Sequence, residues 1–121
     1  MAVTADVFEE FAALPLFDET MLGNLRAALG PATDMLVAKA DGILADRITR
    51  LQALQATPLD DGVARLAHEI GGVAGQIGLA RLSKASLALE RLCRSGDSDG
   101  TAAAMGELAA LTDASRAAIT R

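Results

Sequence analysis

Residues 58–78 read PLDDGVARLAHEIGGVAGQIG, and the spacing of their apolar side chains decides the fold class. Leu59, Leu66, Ile70, Val73 and Ile77 are three, four or seven positions apart. At about 100° per residue they fall in one narrow sector of a helix, which predicts a buried face. Thr57 is expected to cap this helix with Pro58 at its first position, where a missing N–H costs nothing, and Asp60 and Asp61 suit the positive helix start.

The same periodicity extends outward in both directions, without the alternation or β-branched runs of strands. The punctuation predicts six helices, over about 4–13, 18–29, 33–55, 58–78, 80–95 and 99–119. Gly30-Pro31 stops the second, Thr33 or Asp34 is the expected cap of the third, and Ser95 to Gly100 form a turn cluster before the sixth. Short connections between long amphipathic helices favour antiparallel neighbours. The expectation is an all-α domain spanning 1–121: an up-and-down antiparallel four-helix bundle over about 33–119, with short accessory helices over about 4–30.

Length and charge narrow the function. A chain of 121 residues suits one core. A net charge of -5, with no run of Lys and Arg, argues against nucleic acid, whose phosphates require a concentrated basic surface. Aromatics are 2% of the chain, confined to Phe8, Phe11 and Phe17, so the core must be aliphatic. One Cys and one His supply no metal cluster and no internal disulfide. Neither a secretion signal nor an apolar run long enough to span a bilayer is read, so a cytoplasmic protein without a membrane segment is expected. Cys93, Met21, Met35 and Met105 read as apolar filler.

His68, the single histidine, lies on the wheel opposite the apolar stripe, among Ala64, Gly71, Gly72 and Gly75. Three interior glycines cost a helix roughly 3 kcal/mol relative to alanine, so local stability does not account for them. They permit close approach either by a neighbouring helix or by an outside partner. An isolated imidazole titrates near about 6.5 and keeps a nucleophilic nitrogen at neutral pH, which suits attack on a phosphoryl group. From these residues alone an exposed histidine without a role, a helix-packing patch and a phosphoryl acceptor all stay open.

The stretch from Ala67 to Glu90, AHEIGGVAGQIGLARLSKASLALE, resembles the phosphorylation-site hairpin of histidine-containing phosphotransfer (HPt) domains. Ala67-His68, Ile70, Gly72, Ala74, Gly75, Gly78, Leu82, Leu89 and Glu90 carry the likeness. Weaker agreement runs through Phe17-Asp18 to Leu29-Gly30 and Arg94 to Asp97. The resemblance implies a four-helix bundle with His68 as phosphoacceptor. It implies receiver domains of response regulators or of a hybrid histidine kinase as partners. Such a domain is a stoichiometric carrier rather than an enzyme and takes no cofactor, the Mg²⁺ residing on the receiver; a monomer is expected.

Gly71 departs from the family, which commonly has Lys three residues after the histidine, and Val73 stands where Ser often follows. Substitute groups follow from matching heights in antiparallel hairpins. Glu90 and Arg47 come level with His68, and Arg65 lies one turn before it on the same helix. Glu90 is expected to hold one imidazole nitrogen, leaving the other free, and Arg47 or Arg65 to face the phosphate. The expected docking surface is Ala64, His68, Gly71, Gly72, Gly75 and Leu79. A receiver-binding module that accepts no phosphate, and a kinase fragment dimerising through a helical hairpin, are the competing functions.

Overall fold

The structure is a computed structural model that describes residues 8–120. Its helices are α1 (Glu19–Leu29), α2 (Ala32–Ala53), α3 (Asp61–Gln76), α4 (Ala80–Arg94) and α5 (Ser98–Ile119), preceded by a single 3-10 turn at Glu9–Phe11. That turn replaces the helix expected over 4–13, whose first four positions lie outside the described residues.

The four longer helices close a ring. α2 packs on α3 and α5, and α4 packs on α3 and α5, while α1 leans on α2. Cross-helix bonds run in opposite senses along the chain. Arg47 reaches Glu69, Asp41 reaches Arg116 and Gln55 reaches the carbonyl of Ala102, so each neighbour of α2 is antiparallel to it. The predicted up-and-down antiparallel bundle is the observed one. Leu44, Leu51, Val63, Ile70, Leu82, Leu89 and Leu108 fill its centre, each fully buried. An aliphatic core of this kind follows from a chain with almost no aromatics.

Aspartates start three of the helices. The side chains of Asp18, Asp60 and Asp97 accept bonds from the backbone N–H groups of Met21, Gly62 and Gly100, satisfying donors that have no partner within the helix. This corrects two expectations. Thr57 is not the cap of α3: its hydroxyl donates to Leu54 O, finishing α2, and Pro58 sits in the connecting turn. Thr33 is not a cap either; it lies inside α2, buried, and its hydroxyl donates to Leu25 O of α1.

Two apolar positions also differ from expectation. Leu59 is 42% exposed because it precedes the first turn of α3, where a helical wheel no longer applies, and Met35 is 76% exposed on the outer side of α2. Met105 and Cys93 are buried as expected. Burial pushes the Cys93 thiol pKa up, and its sulfur lies 3.4 Å from Pro58 O, within the bundle wall.

The connection between α3 and α4 sets the register of the hairpin. Gly78 adopts φ +84, and a Cβ there would lie 3.1 Å from Asp18 O, so the turn requires glycine on both conformational and steric grounds. Gly78 O in turn accepts from Asp18 N at 2.7 Å, fastening the start of α1 to this end of the bundle.

Candidate functional site

α3 lies between α2 and α4, and both of its flanks are covered. Val63, Ile70 and Ala74 face the core, while Ala64, Ala67 and Gly71 are also fully or almost fully enclosed. What remains in water is a strip of Asp61, Arg65, His68, Gly72, Gly75 and Gln76, with Glu69 partly exposed beside it. These positions follow the three- and four-residue spacing of one helix face.

His68 stands on that strip with its side chain 68% exposed. Its Nδ1 lies 3.0 Å from Oε1 of Glu90 on α4, whose own side chain is only 17% exposed. The other carboxylate oxygen, Oε2, accepts from Arg94 Nε at 3.0 Å, four residues further along α4. Burial opposes ionisation of Glu90, but the bonds from His68 and Arg94 outweigh it and hold its carboxyl below the ordinary value. Glu90 is therefore an acceptor at neutral pH, and Nδ1 carries the proton that it receives. That assignment leaves the lone pair on Nε2, in a side chain that is 68% exposed.

The other expected residues divide. Arg47 does come to the height of this site, but its Nε donates to Glu69 Oε1 at 2.7 Å and its terminal nitrogen to Asp46, not to the surroundings of His68. Bonds to Glu69, and then to Asp46, raise its pKa further. Arg65 is exposed on the strip, one turn before His68. Arg94 went unrecognised in the sequence as a member of this cluster. The signal was there: Glu followed four residues later by Arg is a favourable pair on one helix face.

Three of the expected docking residues are not surface at all. Ala64 and Leu79 are 2% and 0% exposed, and Gly71 is buried against α4. A Cβ on Gly71 would lie 3.3 Å from Ser86 Cβ and 3.4 Å from Ser83 O, and Ser83 Oγ donates to Gly71 O at 3.1 Å. Here the small residue serves the approach of a neighbouring helix. Gly72 is different: nothing lies within 4 Å of the place where its Cβ would stand. Gly75 is exposed, and a Cβ there would meet the Ser83 side chain, its hydroxyl at 3.3 Å and its Cβ at 4.0 Å. The wheel failed because it registered one buried stripe, whereas a helix between two neighbours buries a second flank through small residues that carry no hydrophobic signal.

Among the described residues no three His, Cys, Asp or Glu side chains converge in a way that would hold a metal ion. Among the described residues no helix is long and apolar enough to cross a membrane.

None of the curated proteins matches this chain. Among solved structures, the crystal structure of histidine-containing phosphotransfer protein B (HptB) from Pseudomonas aeruginosa PAO1 matches with a TM-score of 0.81 and 18% sequence identity, covering 89% of this chain and 94% of that one. At that identity the likeness carries the bundle fold. The family description "Hpt domain" matches residues 42–118, which take in most of α2 and all of α3 and α4, including His68, Glu90 and Arg94. With the greater part of its length matched, the chain belongs to the Hpt domain family of histidine phosphotransfer proteins.

Proposed function

We propose that His68 accepts a phosphoryl group from the aspartyl phosphate of a receiver domain and yields it to the aspartate of another. The arrangement that supports this most directly is the exposed imidazole with its Nδ1 engaged by a half-buried carboxylate. In the forward step Nε2 attacks phosphorus, the bond from phosphorus to the aspartate oxygen breaks, and its electron pair leaves on that carboxylate. The proton stays on Nδ1, where Glu90 offsets the positive charge that the ring acquires. Reversal of the same step discharges the phosphohistidine onto the next aspartate.

Gly72 and Gly75 form the open ground beside the ring on which a receiver would rest, with Arg65 on the strip one turn before the ring. Response regulators and a hybrid histidine kinase are the partner classes, and the Mg²⁺ belongs to the receiver. The chain is a carrier that turns over only as its partners load and unload it.

The test is direct. A receiver charged with labelled phosphate is mixed with the wild type and with His68→Gln. The label is expected on the wild type alone, alkali-stable and acid-labile as a phosphoramidate is. Equal labelling of both proteins, or of neither, overturns the proposal, and co-purification with a receiver without label would identify a binding module instead.

A further inference from the structure

Glu90 serves two partners at once, and the second of them, Arg94, takes no part in the phosphoryl transfer at His68 proposed so far. Each oxygen of the carboxylate is used: Oε1 faces His68 Nδ1 and Oε2 faces Arg94 Nε, both at 3.0 Å. A carboxylate held at one oxygen only can rotate about its last bond and present either lone pair, or swing towards water. Held at both, it offers His68 a fixed acceptor. The imidazole is correspondingly fixed, since a ring with Nδ1–H in a bond cannot flip without losing it.

The remaining cations near the strip do not do this. Arg47 is taken by Glu69 and Asp46 on the α2 side. Position 71, where the resemblance leads one to look for a lysine, holds a glycine packed against α4, and a Cβ there would lie 3.3 Å from Ser86 Cβ and 3.4 Å from Ser83 O. Among the ion pairs of the described residues, Arg94 is the cation that shares an anion with His68.

We propose that Arg94 is a positioning residue for phosphoryl transfer: through Glu90 it holds the His68 ring in the tautomer and orientation that present Nε2 to the incoming receiver. The proposal rests on His68 being the acceptor. Without Arg94, Glu90 still accepts a bond but in several orientations, and the ring samples the opposite tautomer, whose lone pair on Nδ1 faces α4 and is out of reach of a docked protein.

Arg94 also stands in the last turn of α4, where a cation offsets the helix dipole, so the experiment must separate positioning from plain stabilisation. Arg94→Gln, Arg94→Lys and, as a control in the same turn, Arg91→Gln are made in the full chain. Two-bond ¹H–¹⁵N spectra of the unphosphorylated proteins report the His68 tautomer, and phosphoramidate, a small phosphoryl donor that needs no receiver, reports uptake.

The wild type, Arg91→Gln and Arg94→Lys are expected to show the Nδ1–H form and similar uptake. Arg94→Gln is expected to show a mixed tautomer population and uptake slowed by about three- to fivefold, the range that loss of one partly exposed ion pair allows. An Arg94→Gln protein with the wild-type tautomer and the wild-type rate overturns the proposal, as does a loss that Arg91→Gln reproduces. Absence of label on the wild type overturns the acceptor reading instead. The spectra of the unphosphorylated proteins then still decide whether Arg94 sets the tautomer.

Discussion

His68 and Glu90, twenty-two positions apart in the chain, meet across the α3–α4 hairpin with Nδ1 of one 3.0 Å from Oε1 of the other. The contact joins an exposed ring to a carboxylate that is mostly enclosed, so it acts as a fixed post on which the ring turns or stays. Glu90→Gln keeps the volume but offers a neutral carbonyl or an amide N–H. Phosphoryl uptake is expected to fall by about tenfold, in line with the loss of an outer carboxylate that orients a functional histidine elsewhere. Far-UV circular dichroism should be unchanged. Uptake equal to the wild type would remove Glu90 from the site.

Acid should expose the same residue in the stability of the fold. The Glu90 carboxyl is held below its ordinary value of 4.5, burial being outweighed by the bonds from His68 and Arg94. A group whose folded pKa is depressed binds its proton more readily when unfolded, so its stabilisation is present above the ordinary value and disappears as pH falls through the lowered one. Melting temperatures measured from pH 6 down to pH 3, values chosen as about one to two units either side of the ordinary glutamate pKa, should fall more steeply for the wild type than for Glu90→Gln. Parallel curves would contradict the assignment.

Adjacent glycines should respond in different ways. Gly72→Ala adds a methyl group in open space on a helix, and the lower backbone entropy of alanine should stabilise the protein by about 0.8–1 kcal/mol. Gly71→Ala places the same group 3.3 Å from Ser86 Cβ, a fixed part of the facing helix, and should recover clearly less or lose stability. Urea denaturation of both variants decides it. Equal gains would mean that α3 and α4 are not as close as described.

Arg81 fastens the stretch before α1 to α4. Its Nε and Nη2 donate to Leu14 O at 3.0 and 2.7 Å, and Nη2 also reaches Ala12 O at 3.1 Å. Arg81→Ala leaves these carbonyls to water and should lower the local opening energy of this stretch by roughly 1–3 kcal/mol. Limited proteolysis within residues 12–17 should accelerate by about tenfold or more, while hydrogen exchange in the centres of α3 and α4 stays as in the wild type. Uniform acceleration across the chain would mean that the segment and the bundle open together.

Much of this arrangement is legible in the residues. Periodic Leu, Ile and Val positions delimit α2 to α5 to within a few residues. The levels of Arg47 and Glu90 against α3 follow from counting along two antiparallel hairpins. What counting does not reveal is the lateral side of the helix on which each level partner lies. Arg47 arrives on the α2 side and meets Glu69, whereas Glu90 arrives on the α4 side and meets His68. The caps were misplaced for a comparable reason. Thr57 and Asp60 are both competent caps in sequence, and the choice falls to Asp60 because the Thr57 hydroxyl donates to the end of α2.

The sequence by itself determined that the chain is helical, that four helices pair antiparallel, and that its one histidine stands opposite an apolar stripe, because these depend on periodicity along a single element. Only the tertiary structure decided which small residues are surface. Gly71 and Gly72 are chemically identical neighbours separated by about 100° of helix rotation, and that rotation turns one into α4 and the other into water. It also decided that Arg94 joins His68 through Glu90, since a hydrogen-bond chain across two helices depends on their distance and rotation, which no single helix encodes.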